Sequence, residues 1–211
     1  MSWRLASRLS VVVLALLVVL LIALVSLRTV SNGQSVKSTA STDASRSQGT
    51  DLGGVPAPDF SLTDQFGKPV SLSQFRGKPV VLTFLYTPCP DVCPLIAERL
   101  HHVLRNLGTD AQRVGVLAVS VEPKRDTVAA ALTFSQAHHM TTSWHFLVGT
   151  QAQLAPVWKA YAIGAQQVWS TVSMHTTALY VIDKQGRERT LLDQDFTPTQ
   201  LTGILQMLLK T

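Results

Sequence analysis

The sequence predicts an α/β sandwich carried behind an N-terminal membrane helix. Three observations lead there: one long apolar run near the start, a polar stretch after it, and then short apolar segments alternating with helical periodicity to the end of the 211 residues. From Val11 to Leu27 only Ser26 is not apolar, and without that run the composition is that of an ordinary globular protein.

The first ten residues, MSWRLASRLS, place Arg4 and Arg8 ahead of the run, and Arg28 closes it. Seventeen residues at 1.5 Å each reach about 26 Å, close to the short limit for crossing a bilayer and longer than most cleavable signal cores. No small-residue cleavage pattern follows, and no cysteine lies near enough to take a lipid. Residues 1–28 are therefore expected to be an uncleaved anchor. Arg4 and Arg8 held on the cytoplasmic side would place the remainder across the cell membrane, as a single-pass protein with an extracytoplasmic domain. Residues 29–55 are rich in Ser, Thr, Gly, Gln and Asp and are expected to be a flexible tether.

The domain is expected over 56–211. DFSLTDQFGKPVSLSQF reads as two short strands around a turn at Gly67, and KPVVLTFLY as a buried strand. Leu95, Ile96, Leu100, Val103, Leu104 and Leu107 predict a helix from Pro94 to Leu107. RVGVLAVSV is a second buried strand, Thr127–His138 a helix, WHFLVG a strand and Gln151–Tyr161 a helix. ALYVIDKQGRERTLL reads as a hairpin turning at Lys184–Gly186, and Pro198–Leu209 as the last helix. A βαβα alternation closed by an antiparallel hairpin and a helix is the order of an α/β sandwich of thioredoxin type.

The formal charge of +5 is uneven. Residues 1–55 hold five basic side chains against Asp43 and Asp51, whereas the domain is nearly neutral. With no basic stripe and no interleaved aromatic platform, nucleic acid is excluded as a partner. Two cysteines also exclude a disulfide-stapled scaffold.

Those cysteines are the chemical signal. T87-P-C-P-D-V-C-P94 falls between a buried strand and a helix, where α/β sheets expose functional groups. In a helix-like turn, Cys89 and Cys93 are i and i+4 neighbours with Cα atoms about 6 Å apart, able to share one metal or to form a disulfide. Pro94 fits the first helical position, which would put both thiols at the positive end of a helix dipole. Two thiolates are too few for a closed zinc site. Among six histidines, His101, His102, His138 and His139 read as solvated helix positions and His145 as the start of a strand. His175 differs: it lies in a polar stretch before the strand ALYVID, across the expected sheet from the cysteine loop. Asp91 reads as a turn-forming or solvated carboxylate, and Asp126 as the N-cap of the helix that follows it, with Arg125 ordering the same loop.

T87-P-C-P-D-V-C-P94, S120-V-E-P-K-R-D-T127 and M174-H-T-T-A-L-Y-V-I-D183 together resemble, in order and spacing, the signatures of the Sco/SenC/PrrC copper chaperones of cytochrome c oxidase assembly. The resemblance covers about residues 56–211 and extends to the anchor. It implies a thioredoxin-like fold, a membrane tether and one copper ion held by Cys89, Cys93 and His175. The partners it implies are the copper-binding subunit of the oxidase and an upstream copper donor or thiol reductant. Two thiolates and an imidazole suit Cu(I), and the same set takes Cu(II) with extra ligation. Three positions depart from the family pattern: Glu122 stands for Asp, Thr176 for Ser, and Met174 for the Asp that usually precedes the histidine. Met174 puts a thioether, a packing residue or a spare soft ligand, where the family has a carboxylate, which disfavours Cu(II) relative to Cu(I).

The competing expectation is an enzyme, an anchored thiol–disulfide oxidoreductase that uses Cys89 and Cys93 as a redox disulfide. Against it, thioredoxin-type reductases use C-x-x-C with a proline just before the facing strand, and here three residues separate the cysteines and no proline lies between Pro156 and Pro198. A peroxiredoxin would need a threonine three residues before its cysteine, and Thr87 is two before Cys89.

Overall fold

Six strands form one mixed sheet in the computed structural model, which describes Leu20 and residues 49–166, 174–175 and 178–211. In chain order the strands are β1 (Thr50–Pro56), β2 (Ser61–Thr63), β3 (Pro69–Ser71), β4 (Val80–Leu85), β5 (Gly115–Ser120), β6 (His145–Leu147), β7 (Ala165–Gln166), β8 (Met174–His175), β9 (Leu179–Ile182) and β10 (Arg187–Leu192). The helices are α1 (Val92–Leu107), α2 (Val128–Ala137), α3 (Gln151–Ala160) and α4 (Pro198–Lys210). The sheet order is β1-β10-β9-β4-β5-β6, while β2–β3 and β7–β8 are separate antiparallel pairs.

The central strands β4, β5 and β9 are rich in Val, Leu and Ile and buried at every position, so both faces of the sheet are covered. β4 runs parallel to β5, from Val80 opposite Gly115 to Leu85 opposite Ser120, and antiparallel to β9, with Thr83 opposite Leu179. This register sets the ends of β4 and β5 side by side and brings the chain that enters β9 to the same edge. The Thr83 hydroxyl donates to the Ala178 carbonyl there, at 3.2 Å. α1 packs against α4, burying Ile96, Leu100, Val103, Leu104 and Leu107 on its inner face.

Local chemistry explains the element ends. Thr127, Thr150 and Thr197 cap α2, α3 and α4, each accepting from the backbone N–H three residues on, and Gln153 and Gln200 complete capping boxes. The β9–β10 hairpin turns at Gly186, φ 72°, with the Asp183 carboxylate taking the N–H groups of Gln185 and Arg187. β2 and β3 turn at Gly67 as the sequence predicts.

The fold thus agrees with the α/β reading, with three corrections. The sheet begins at Thr50, inside the stretch expected to be tether: Gly53 and Gly54, at φ 69° and 72°, bulge an edge strand whose remaining residues pair with β10. Bulging glycines hide the period-two pattern that reveals a strand. α1 begins at Val92, so Pro94 is its third residue and not its first, still within the turn whose N–H groups have no helical partner. Asp126 does not cap α2; Thr127 does. The expected anchor, apart from Leu20, and the tether up to residue 48 lie outside the described residues. Among the described residues no helix is long and apolar enough to cross a membrane.

Candidate metal centre

β4 delivers the cysteine loop at the end of the buried sheet. The Cys89 N–H donates to the Tyr86 carbonyl at 3.4 Å, bending the chain before α1 starts. Cys93, in the first turn of α1, is fully buried, and Cys89 is only 9% exposed. Both are free thiols. The Cys93 N–H donates to Cys89 Sγ at 3.4 Å, so one sulfur sits at the helix N-terminus and receives its backbone donors.

The two sulfurs are chemically unequal. A hydrogen bond from the Cys93 thiol, joined by the backbone N–H groups of Asp91 and Cys93 and by the Tyr86 side chain, holds the Cys89 thiol down at about 5 against the burial that opposes it. Cys89 is therefore a thiolate at neutral pH. Cys93, which gives that hydrogen bond and is buried, is held well above the ordinary thiol range. Burial and the bond to Cys89 likewise push the Tyr86 phenol upward, so it stays a proton donor. One sulfur is a ready ligand, and the other becomes one by losing its proton.

Asp126 braces this loop. Its Oδ1 accepts from the Thr87 N–H at 2.8 Å and from the Thr87 hydroxyl at 2.7 Å, and its Oδ2 from the Ser120 hydroxyl at 2.5 Å. Burial raises the carboxyl above its ordinary value, and the bonds from Ser120 and Thr87 oppose that. Ser120 ends β5, and its carbonyl accepts from Trp158 Nε1 on α3 at 2.9 Å. Beside this network Glu122 and Arg125 form an ion pair at 3.1 Å. Neither Tyr86 nor Asp126 was assigned to the site by spacing. The available signal was the parallel pairing of β4 and β5, which sets residues 86–87 beside the loop 121–126.

His175 lies on β8, paired through its backbone with Ala165 of β7, while Gln166 pairs with Met174. Its strand is separated by two residues from Ala178, whose carbonyl meets Thr83 at the cysteine end of β4. The backbone therefore brings Cys89 and Cys93 together and sets His175 on the segment that enters β9. The side chains of Met174 and His175, and Thr176 entirely, lie outside the described residues. Asp91 is exposed and makes no side-chain bond at the helix cap.

The SCO1/SenC family model matches residues 49–210. The chain belongs to this SCO1/SenC family. Among solved structures it is similar to copper-bound ScoI of Bradyrhizobium japonicum, 32% identical over 73% of this chain and 99% of that one, with a TM-score of 0.66. It is also similar to apo Sco1 of Thermus thermophilus, 31% identical over 76% of this chain and 94% of the other, TM-score 0.63. BsSco, a member of the Sco family of cytochrome c oxidase assembly proteins in which a disulfide switch was identified, shares the fold at 20% identity, covering 77% of this chain and 97% of its own, TM-score 0.63. The mitochondrial SCO2 homologue of Bos taurus is 33% identical over 61% of this chain and 50% of its own length. The chain thus spans about half the length of such curated relatives. As a SCO1/SenC protein it carries the family's thioredoxin-like sheet, with the two cysteines at the strand-to-helix junction.

Proposed function

We propose that this SCO1/SenC protein is a membrane-anchored copper metallochaperone for the CuA centre of cytochrome c oxidase, with Cys89, Cys93 and His175 as the ligands that carry the cargo ion. The observation that supports this most is the sulfur pair itself: two buried cysteines at the strand-to-helix junction, Cys89 with its pKa lowered, form a soft donor set that favours Cu(I). Copper in the related ScoI accords with this reading. Copper entry displaces the Cys93 proton. An imidazole from the segment before β9 completes a three-coordinate shell that leaves room for a recipient's ligand, so the ion can be handed over without first being released. Met174, in place of an acidic neighbour, favours the monovalent ion. Residues 1–28 would hold the domain on the extracytoplasmic face, within reach of the oxidase subunit that receives copper and of the donor or reductant that prepares the site.

The second reading, an anchored thiol–disulfide oxidoreductase, is favoured by the same inequality of the sulfurs: a thiol with a lowered pKa beside one with a raised pKa is the pattern of an attacking and a resolving cysteine. The readings part at His175. Oxidase assembly is measured in cells carrying Cys89→Ser or His175→Ala. The chaperone reading requires both to fail at low copper and to recover partly when copper is added. A fully active His175→Ala strain beside an inactive Cys89→Ser strain would establish the oxidoreductase instead, because thiol exchange needs no imidazole ligand.

A further inference from the structure

Away from the cysteine loop, α1 and α2 bring histidines together. His101 and His102 stand eight and nine residues beyond Cys93 on α1, about 12 Å along the axis. His138 and His139 close α2. The His101 ring lies 5.8 Å from the His139 ring and 6.1 Å from the His102 ring.

His139 holds φ 57°, the left-handed conformation that usually ends a helix with glycine, and Met140 N–H returns to the Ser135 carbonyl at 2.8 Å to complete that ending. Histidine is among the non-glycine residues that take this conformation most readily, and Ala162 ends α3 in the same way with Ile163 N–H returning to Trp158; after α2 the turn sets the His139 ring beside His101. The His139 backbone lies beside the His101 ring and acts on its titration, against the larger lowering by burial.

We propose that His101 and His139 form a second metal site, a two-imidazole clamp for a divalent first-row ion. Two imidazoles on one ion, each bonded at about 2.0–2.1 Å, place their ring centres roughly 5–6 Å apart, the separation these rings already have. Burial, the neighbouring His139 and His102 and the charge of Arg105 lower the His101 pKa, keeping its lone pair free at neutral pH. The Glu98 carboxylate lies close enough to act on His138 and adds negative charge to the same patch. Among the described residues no third such side chain joins the pair, so the protein supplies two ligands at this site. Imidazole donors and an open shell suit Cu(II) best among the divalent first-row ions, with Zn(II) below it.

The test is a Cu(II) titration of the full chain carrying Cys89→Ser and Cys93→Ser, so that no thiolate competes, followed by electron paramagnetic resonance. The expected result is one Cu(II) per chain with coupling to imidazole nitrogen, and affinity at least tenfold weaker after His101→Gln or His139→Gly. Glycine suits the left-handed position, so His139→Gly should melt at or above the parent without metal while losing the rise in melting temperature that Cu(II) gives the parent. Because that variant keeps the fold, it decides the matter even if His101→Gln does not fold. A parent that binds no Cu(II), or binding equal in the parent and His139→Gly, overturns the proposal. Neither result bears on Cu(I) at the cysteine pair, which the parent in this test lacks.

Discussion

Replacing Cys93 with alanine should raise the pKa of Cys89. The thiolate of Cys89 titrates near 5 in place of 9.0, and the largest cause is the hydrogen bond from the Cys93 thiol. A hydrogen bond to a charged acceptor contributes about 1.5–3 kcal/mol, and each pKa unit corresponds to about 1.4 kcal/mol, so its loss should move Cys89 up by roughly one to two units. The backbone donors of Asp91 and residue 93 and the Tyr86 side chain remain, so Cys89 stays below a free thiol. Thiolate ultraviolet absorbance of the reduced, metal-free protein, followed against pH in the wild type and Cys93→Ala, measures this directly. The same pair sets a pH profile. A depressed Cys89 makes the reduced fold gain stability as pH rises from about 5 toward 9.0, and the raised Cys93 makes it lose stability above that. An unchanged or lower Cys89 pKa in Cys93→Ala would refute the assignment of donor and acceptor within the pair.

Asp126→Ala removes the common acceptor of three donors and should cost about 2–4 kcal/mol, roughly 5–15 °C in melting temperature, with a smaller loss for Asp126→Asn; calorimetry of both variants checks the order. Gly115→Ala places a methyl 2.5 Å from the Phe75 ring at the start of β5 and should destabilise by about 1–3 kcal/mol in urea unfolding, most of which Phe75→Leu in the same chain should recover.

Much of this was legible in the sequence because burial and periodicity coincide. β4, β5 and β9 are apolar-rich runs in central strands, buried at every position, and α1 carries an inner stripe from Ile96 to Leu107, so their type follows from pattern alone. β1 was not legible, because two bulging glycines interrupt it and its partner is more than 130 residues away in β10. The cysteine pair stood out through residue type and spacing. Its bracing did not: Asp126 looks like a helix cap next to Thr127, and only the pairing of β4 with β5 turns it toward Thr87. The separation of the two thiols into one proton donor and one acceptor is likewise tertiary, since it depends on Cys93 being buried and on the donors surrounding Cys89.

A Cu(I) competition titration of the reduced full chain against a chromophoric chelator tests most directly the proposal that Cys89, Cys93 and His175 hold one cargo ion. The predicted result is one Cu(I) per chain, tight binding abolished by Cys89→Ser or Cys93→Ser because a hydroxyl stays protonated, and a smaller loss of affinity in His175→Ala. Equal Cu(I) affinity in the wild type and both serine variants would contradict it.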